Sequence, residues 1–77
     1  MTIVVTVGQW ATRYLEDYAP ELPLSLPDGA TVADALEAVP IPPSELGLIA
    51  VNGAAIAREA PLKDGDLMKI FPVIIGG

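Results

Sequence analysis

Between Asp28-Gly29 and Pro40 lies the clearest helical rhythm in the sequence, and it has room for little more than two turns. Val32, Leu36 and Val39 fall at i, i+4 and i+7 and so share one face. Thr31 is placed to cap the helix, and Asp34 sits in the first turn, where its charge suits the helix dipole. Pro40 stops the helix and Pro42-Pro43 keeps it stopped, leaving Ser44-Glu45-Leu46 for one further short turn. A helix this short must bury its apolar face against something else, because isolated helices below ~12–15 residues are marginal in water. The neighbouring patterned segments are strands. An α+β layer, with a sheet carrying one main helix on one face, is the expected class.

Thr2 to Val7 is β-branched throughout and reads as a strand, ended or bent by Gly8. Leu22, Leu24 and Leu26 alternate with Pro23 and Ser25, the period of a half-buried strand. Pro23 has no N–H and marks that strand as an edge. Leu48 to Val51 is a compact apolar strand running into Asn52-Gly53, a turn dipeptide in which glycine is free to take positive φ. A short strand over residues 54–57 and a loop over 58–61 follow. Lys63-Asp64-Gly65-Asp66 is a tight turn before the last strand, Leu67 to Phe71, and pairing should weaken at Pro72. The first two strands form a hairpin or meander, and topology preferences put the last strand parallel to the first at the sheet centre. Across residues 8–21, Trp10, Tyr14 and Tyr18 recur every fourth residue, as on one helical face, and are expected to cap the sheet. Arg13 is placed to pair with Glu16 or Asp17.

A length of 77 residues makes one domain with a small core. The absence of cysteine removes disulfides, thiolate metal sites and any side-chain persulfide, and the absence of histidine removes the usual imidazole base and ligand. Catalysis by the chain alone is therefore not expected. Ten acidic residues against four basic ones give a net charge of −6, which disfavours nucleic acid and anionic membranes and suits a partner with a basic face. No glycine-rich phosphate loop is present. Asp64 and Asp66 are too few for a calcium loop and read as turn formers. Asp34 and Glu37 read as a solvated helix face. The first residues lack the basic region of a signal peptide, and no apolar run approaches the ~20 residues of a membrane span, so a cytoplasmic protein is expected.

The sequence closes on Gly76-Gly77, directly after Phe71-Pro72-Val73-Ile74-Ile75. Glycine has no Cβ and reaches backbone conformations closed to other residues, so such an arm can thread a narrow active site of another protein. Its carboxylate is then a chemical handle. The expected division is a domain over 1–72 and a flexible tail over 73–77. Phe71, Ile74 and Ile75 suit a groove on a partner, although Val73 to Ile75 continuing the last strand into the core is the alternative reading.

Four segments in order resemble the MoaD/ThiS family of sulfur carriers. Pro27 to Leu36 is similar to its helix entry, Leu48 to Gly53 to its central strand and turn, Pro61 to Asp66 to its segment before the final strand, and Phe71 to Gly77 to its tail. Trp10 to Leu15 is similar to a shorter version of a Phe-Ala-x-Leu-Arg stretch in MoaD-like members. The resemblance implies a ubiquitin-like β-grasp, with a mixed sheet of four to five strands. It implies a co-substrate rather than an enzyme, with no cofactor bound by this chain. A ubiquitin-activating-type partner would use ATP and Mg to adenylate the carboxylate of Gly77, with Gly76 beside it. A sulfur donor would then form a thiocarboxylate. A downstream synthase, either a molybdopterin synthase large subunit or a thiazole synthase, would spend that sulfur on molybdopterin or the thiazole of thiamin. Phe71, Pro72, Val73, Ile74 and Ile75 would contact these partners. Phe71-Pro72 and the Trp10 region point to the molybdopterin branch, in which the carrier docks as a small subunit. The alternatives are a ubiquitin-like modifier joined to lysine through Gly77, and a non-catalytic interaction module.

Overall fold

The computed structural model describes residues 1–15 and 19–73. Five strands, β1 (Thr2–Thr6), β2 (Glu21–Ser25), β3 (Leu46–Val51), β4 (Ala54–Ala55) and β5 (Leu67–Pro72), form one mixed sheet. The order across it is β2-β1-β5-β3-β4. β1 pairs antiparallel with β2 and parallel with β5, matching Val4 to Leu67 and Thr6 to Lys69. β3 runs antiparallel to both β4 and β5. The last long strand therefore lies at the sheet centre beside the first, as topology preference predicts.

Helix α1 (Val32–Ala38) buries Val32, Ala35 and Leu36. They join Ile3 and Val5 of β1, Ile49 and Val51 of β3, and Met68 and Ile70 of β5 in one apolar core. Fully burying side chains of this kind contributes about 1.5–3 kcal/mol each. Asp34 does more than decorate a solvated face: its carboxylate accepts from the Thr31 N–H at 2.9 Å while the Thr31 hydroxyl accepts from the Asp34 N–H at 3.3 Å. That reciprocal box satisfies two donors which the helix leaves unpaired. The next two are taken by the loop before β5, where Ala60 O accepts from the Val32 N–H and Arg58 O from the Ala33 N–H. The helix start is thereby tied to residues 58–60.

Three boundaries differ from expectation. Gln9–Arg13 forms a 3-10 helix, with Ala11 fully buried and Trp10 and Tyr14 packed part-exposed against the core. The expected positions of Tyr18, Glu16 and Asp17 lie outside the described residues. β3 begins at Leu46, immediately after a 3-10 turn over Pro43–Glu45, and β4 ends at Ala55. Regular pairing gives way next to Pro72, as expected, because the register with β3 shifts between Ile70 and Pro72; contact nevertheless continues, with Leu46 opposite Pro72 and the Val73 N–H donating to Glu45 O at 3.1 Å. Val73 supplies the donor there, so the missing proline N–H is not needed. Among the described residues no helix is long and apolar enough to cross a membrane.

Candidate functional site: the open sheet face and the exit of the last strand

Alternation along β5 divides its side chains between two faces. Met68 and Ile70 turn into the core, and Leu67, Lys69 and Phe71 point the other way. The neighbouring strand β3 adds Leu48 and Ala50 to that open face, and β1 adds Val4 and Thr6. Leu48 and Leu67 are each 57% exposed, Val73 40% and Phe71 37%. Several exposed apolar side chains gathered on one sheet face suit an interaction surface, whereas single exposed apolar residues are ordinary. Lys69 places its ammonium 5.1 Å from the centroid of the Phe71 ring, within cation–π range, so the face carries one cation over an aromatic.

The face ends where β5 leaves the sheet, and there the strand pairing is irregular. Leu46 is opposite Pro72, but Ile49 is opposite Ile70, so Gly47 and Leu48 together face Phe71. One extra residue in β3 makes a bulge. Gly47 is demanded by close approach: a Cβ there would sit 2.8 Å from Pro72 O and 2.9 Å from Phe71 O. Beyond Pro72, on the side of the 3-10 helix, Trp10, Arg13, Tyr14 and Glu45 line a shallow hollow. The aromatic N-terminal segment and the base of the tail are thus adjacent.

Of the residues expected at the site, Phe71 lies on the open face, Pro72 is half-buried at the end of β5, and Val73 is exposed one residue further. Ile74, Ile75, Gly76 and Gly77 lie outside the described residues. The expectation missed Leu48, Leu67 and Lys69. The signal was present in β5, where Leu67, Lys69 and Phe71 alternate with the buried Met68 and Ile70. Among the described residues no group of three or more carboxylates could hold a metal, and no buried side-chain polar atom lacks a partner.

A mixed sheet in the order β2-β1-β5-β3-β4, with one capped helix across its apolar face, is the ubiquitin-like β-grasp. Solved structures of two proteins share it. The small archaeal modifier protein SAMP1 of Haloferax volcanii superposes with a TM-score of 0.78 over 100% of both chains at 18% identity. A second structure of that protein gives 0.77 at 17% identity, over 95% of this chain and 98% of that one. A Pyrococcus furiosus protein described as a candidate molybdopterin converting factor subunit 1 gives 0.76 at 24% identity, over 95% and 98% of the two chains. At such identities these likenesses speak to the fold. No curated protein matches the sequence. Residues 11–77 match the ThiS family, and the chain belongs to that family. It is by class a small ubiquitin-like protein of the ThiS carrier family, a kind of protein that is generally not itself a catalyst.

Proposed function

We propose that this protein is a sulfur carrier that works through the carboxylate of Gly77. An adenylating partner of the ubiquitin-activating type, using ATP and Mg, joins AMP to that carboxylate and releases pyrophosphate. Activation is needed because a carboxylate is a poor acyl donor until it carries a better leaving group. Sulfide (HS−), delivered by a sulfur donor, then attacks the acyl carbon, the bond to AMP breaks, AMP leaves, and after loss of the sulfur's proton a thiocarboxylate remains. A downstream synthase takes the sulfur; the molybdopterin branch is our reading, with this chain docked as the small subunit. The carrier works in the cytoplasm and binds no cofactor of its own.

The observation that supports this most is the course of β5. The central strand runs along the exposed face to Val73, whose N–H donates to Glu45 O, and Gly76-Gly77 follow shortly after in the sequence. Residues 1–72 form the docking body and 73–77 the arm. Leu48, Leu67 and Phe71 hold the body on the partner, and Val73, Ile74 and Ile75 guide the arm into its active site. Intact-mass measurement after co-expression with candidate adenylating enzymes tests the chemistry. A mass gain matching one oxygen-to-sulfur exchange at the C-terminus supports it, and an unchanged mass with every candidate overturns it.

A second reading, a protein modifier joined to lysine amines through Gly77, draws on the fold shared with a protein named as a modifier. It uses the same activation and differs only in the acceptor, so an isopeptide-linked conjugate would favour it. An interaction module with an incidental tail would keep its function when Gly77 is deleted.

A further inference from the structure

Consecutive carbonyls of a regular strand point to opposite edges, so a single side-chain nitrogen cannot reach both. In β3 one does. Arg58 Nη2 donates to Leu46 O and to Gly47 O, each at 3.2 Å. The extra residue of the bulge turns the two carbonyls towards a common donor, and the guanidinium occupies that position. Arg58 is itself held from the other side, because its main-chain O accepts from the Ala33 N–H in the first turn of α1 at 2.9 Å.

The residues that Arg58 grips are those against which the end of β5 rests. Leu46 is the register partner of Pro72, and the Gly47 backbone lies close enough to Phe71 O and Pro72 O to exclude a Cβ. Glu45, immediately before them, accepts from the Val73 N–H through its main-chain O. A continuous series of contacts therefore runs from the start of the helix through Arg58 and the bulge to Val73.

We infer that Arg58 is a positioning residue for the tail: by holding the two bulge carbonyls together it fixes the backbone at Val73, from which the last four residues continue. What that placement serves rests on the proposed function, since a carrier must present its carboxylate along a set line from a docked body. Misplacing a reacting group by about 1 Å can cost on the order of 100-fold in rate.

Amide hydrogen exchange on the isolated protein decides the structural half. In Arg58→Ala the Val73 amide should exchange about tenfold faster or more, because the segment that holds its acceptor loses two charge-assisted bonds. The amides of Val5 and Ile70 should keep their protection. Arg58→Lys, which keeps the charge but not the forked donor, should fall between the two. An unchanged Val73 amide, or one that changes only in step with Val5 and Ile70, overturns the inference. The functional half uses ATP–pyrophosphate exchange driven by an adenylating enzyme. Arg58→Ala should lower kcat about fivefold or more with KM held within about twofold, because the docking face is intact. A raised KM at unchanged kcat would assign Arg58 to docking and overturn the positioning role. If the wild-type chain supports no exchange with any adenylating enzyme, the proposed function fails, and the Val73 amide still decides whether Arg58 fixes the backbone there.

Discussion

The side-chain amide of Asn52 donates to the carboxylate of Asp66 at 3.0 Å, joining the turn after β3 to the turn before β5. The junction is denser than that one bond. Asn52 Oδ1 accepts from the Leu67 N–H, and the Asn52 N–H donates to Leu67 O. The other Asp66 oxygen accepts from the Lys63 N–H. Asp64 accepts from the Thr2 N–H, and Asp66 O from the Val4 N–H, which brings β1 into the same knot. Two aspartates in a tight turn therefore hold strand ends together, and the start of β5 is set by them.

Asn52 also has φ +51, a left-handed conformation that asparagine tolerates better than most residues. Asn52→Ala should lose both side-chain bonds and add backbone strain, costing about 2–3 kcal/mol. Asn52→Gly loses the bonds but relieves the strain, so it should cost about 1 kcal/mol less than the alanine variant. Urea denaturation of both variants gives the order directly. Equal losses would show that the left-handed backbone contributes nothing.

At Gly47 the penalty has a different origin. The atoms a new Cβ would meet are main-chain oxygens of Phe71 and Pro72, which cannot swing aside as a side chain can. Gly47→Ala should destabilise by about 1–3 kcal/mol, as overpacking does elsewhere. The melting temperature checks this, and an unaltered value would mean that the bulge opens freely.

The two faces of the sheet should respond in opposite ways. Leu67→Ser and Leu48→Ser, at exposed sites, should leave stability within about 0.5 kcal/mol of wild type. Each should weaken binding to the activating partner by about 1–2 kcal/mol, measured by titration calorimetry. Met68→Ala, at a fully buried site one residue away, should cost about 2–5 kcal/mol of folding stability.

Deleting Gly77, or replacing Gly76 by Val, should abolish adenylation while leaving the melting temperature unchanged. A β-branched side chain restricts the backbone and widens the arm at the point where it must be thin. Radiolabelled pyrophosphate exchange reads the first effect and differential scanning calorimetry the second. Retained exchange in the deletion variant would remove the chemical role assigned to that carboxylate.

Local chemistry determined a good deal by itself. Thr31 and Pro40 bound the helix because a hydroxyl cap and a missing N–H act within one turn of the backbone. Asn52-Gly53 and Asp64-Gly65 mark turns because their φ requirements are equally local. The alternation of β5 already told which of its residues share a side. What only the tertiary structure decided was which side is covered, since periodicity sorts residues into faces without saying where the helix will lie. Leu48 and Leu67 are left bare for that reason, and no property of leucine announces it. The bulge at Gly47 and the reach of Arg58 to it are likewise invisible in the sequence. They arise from the register between β3 and β5, segments some twenty residues apart that acquire a relation only when the sheet closes.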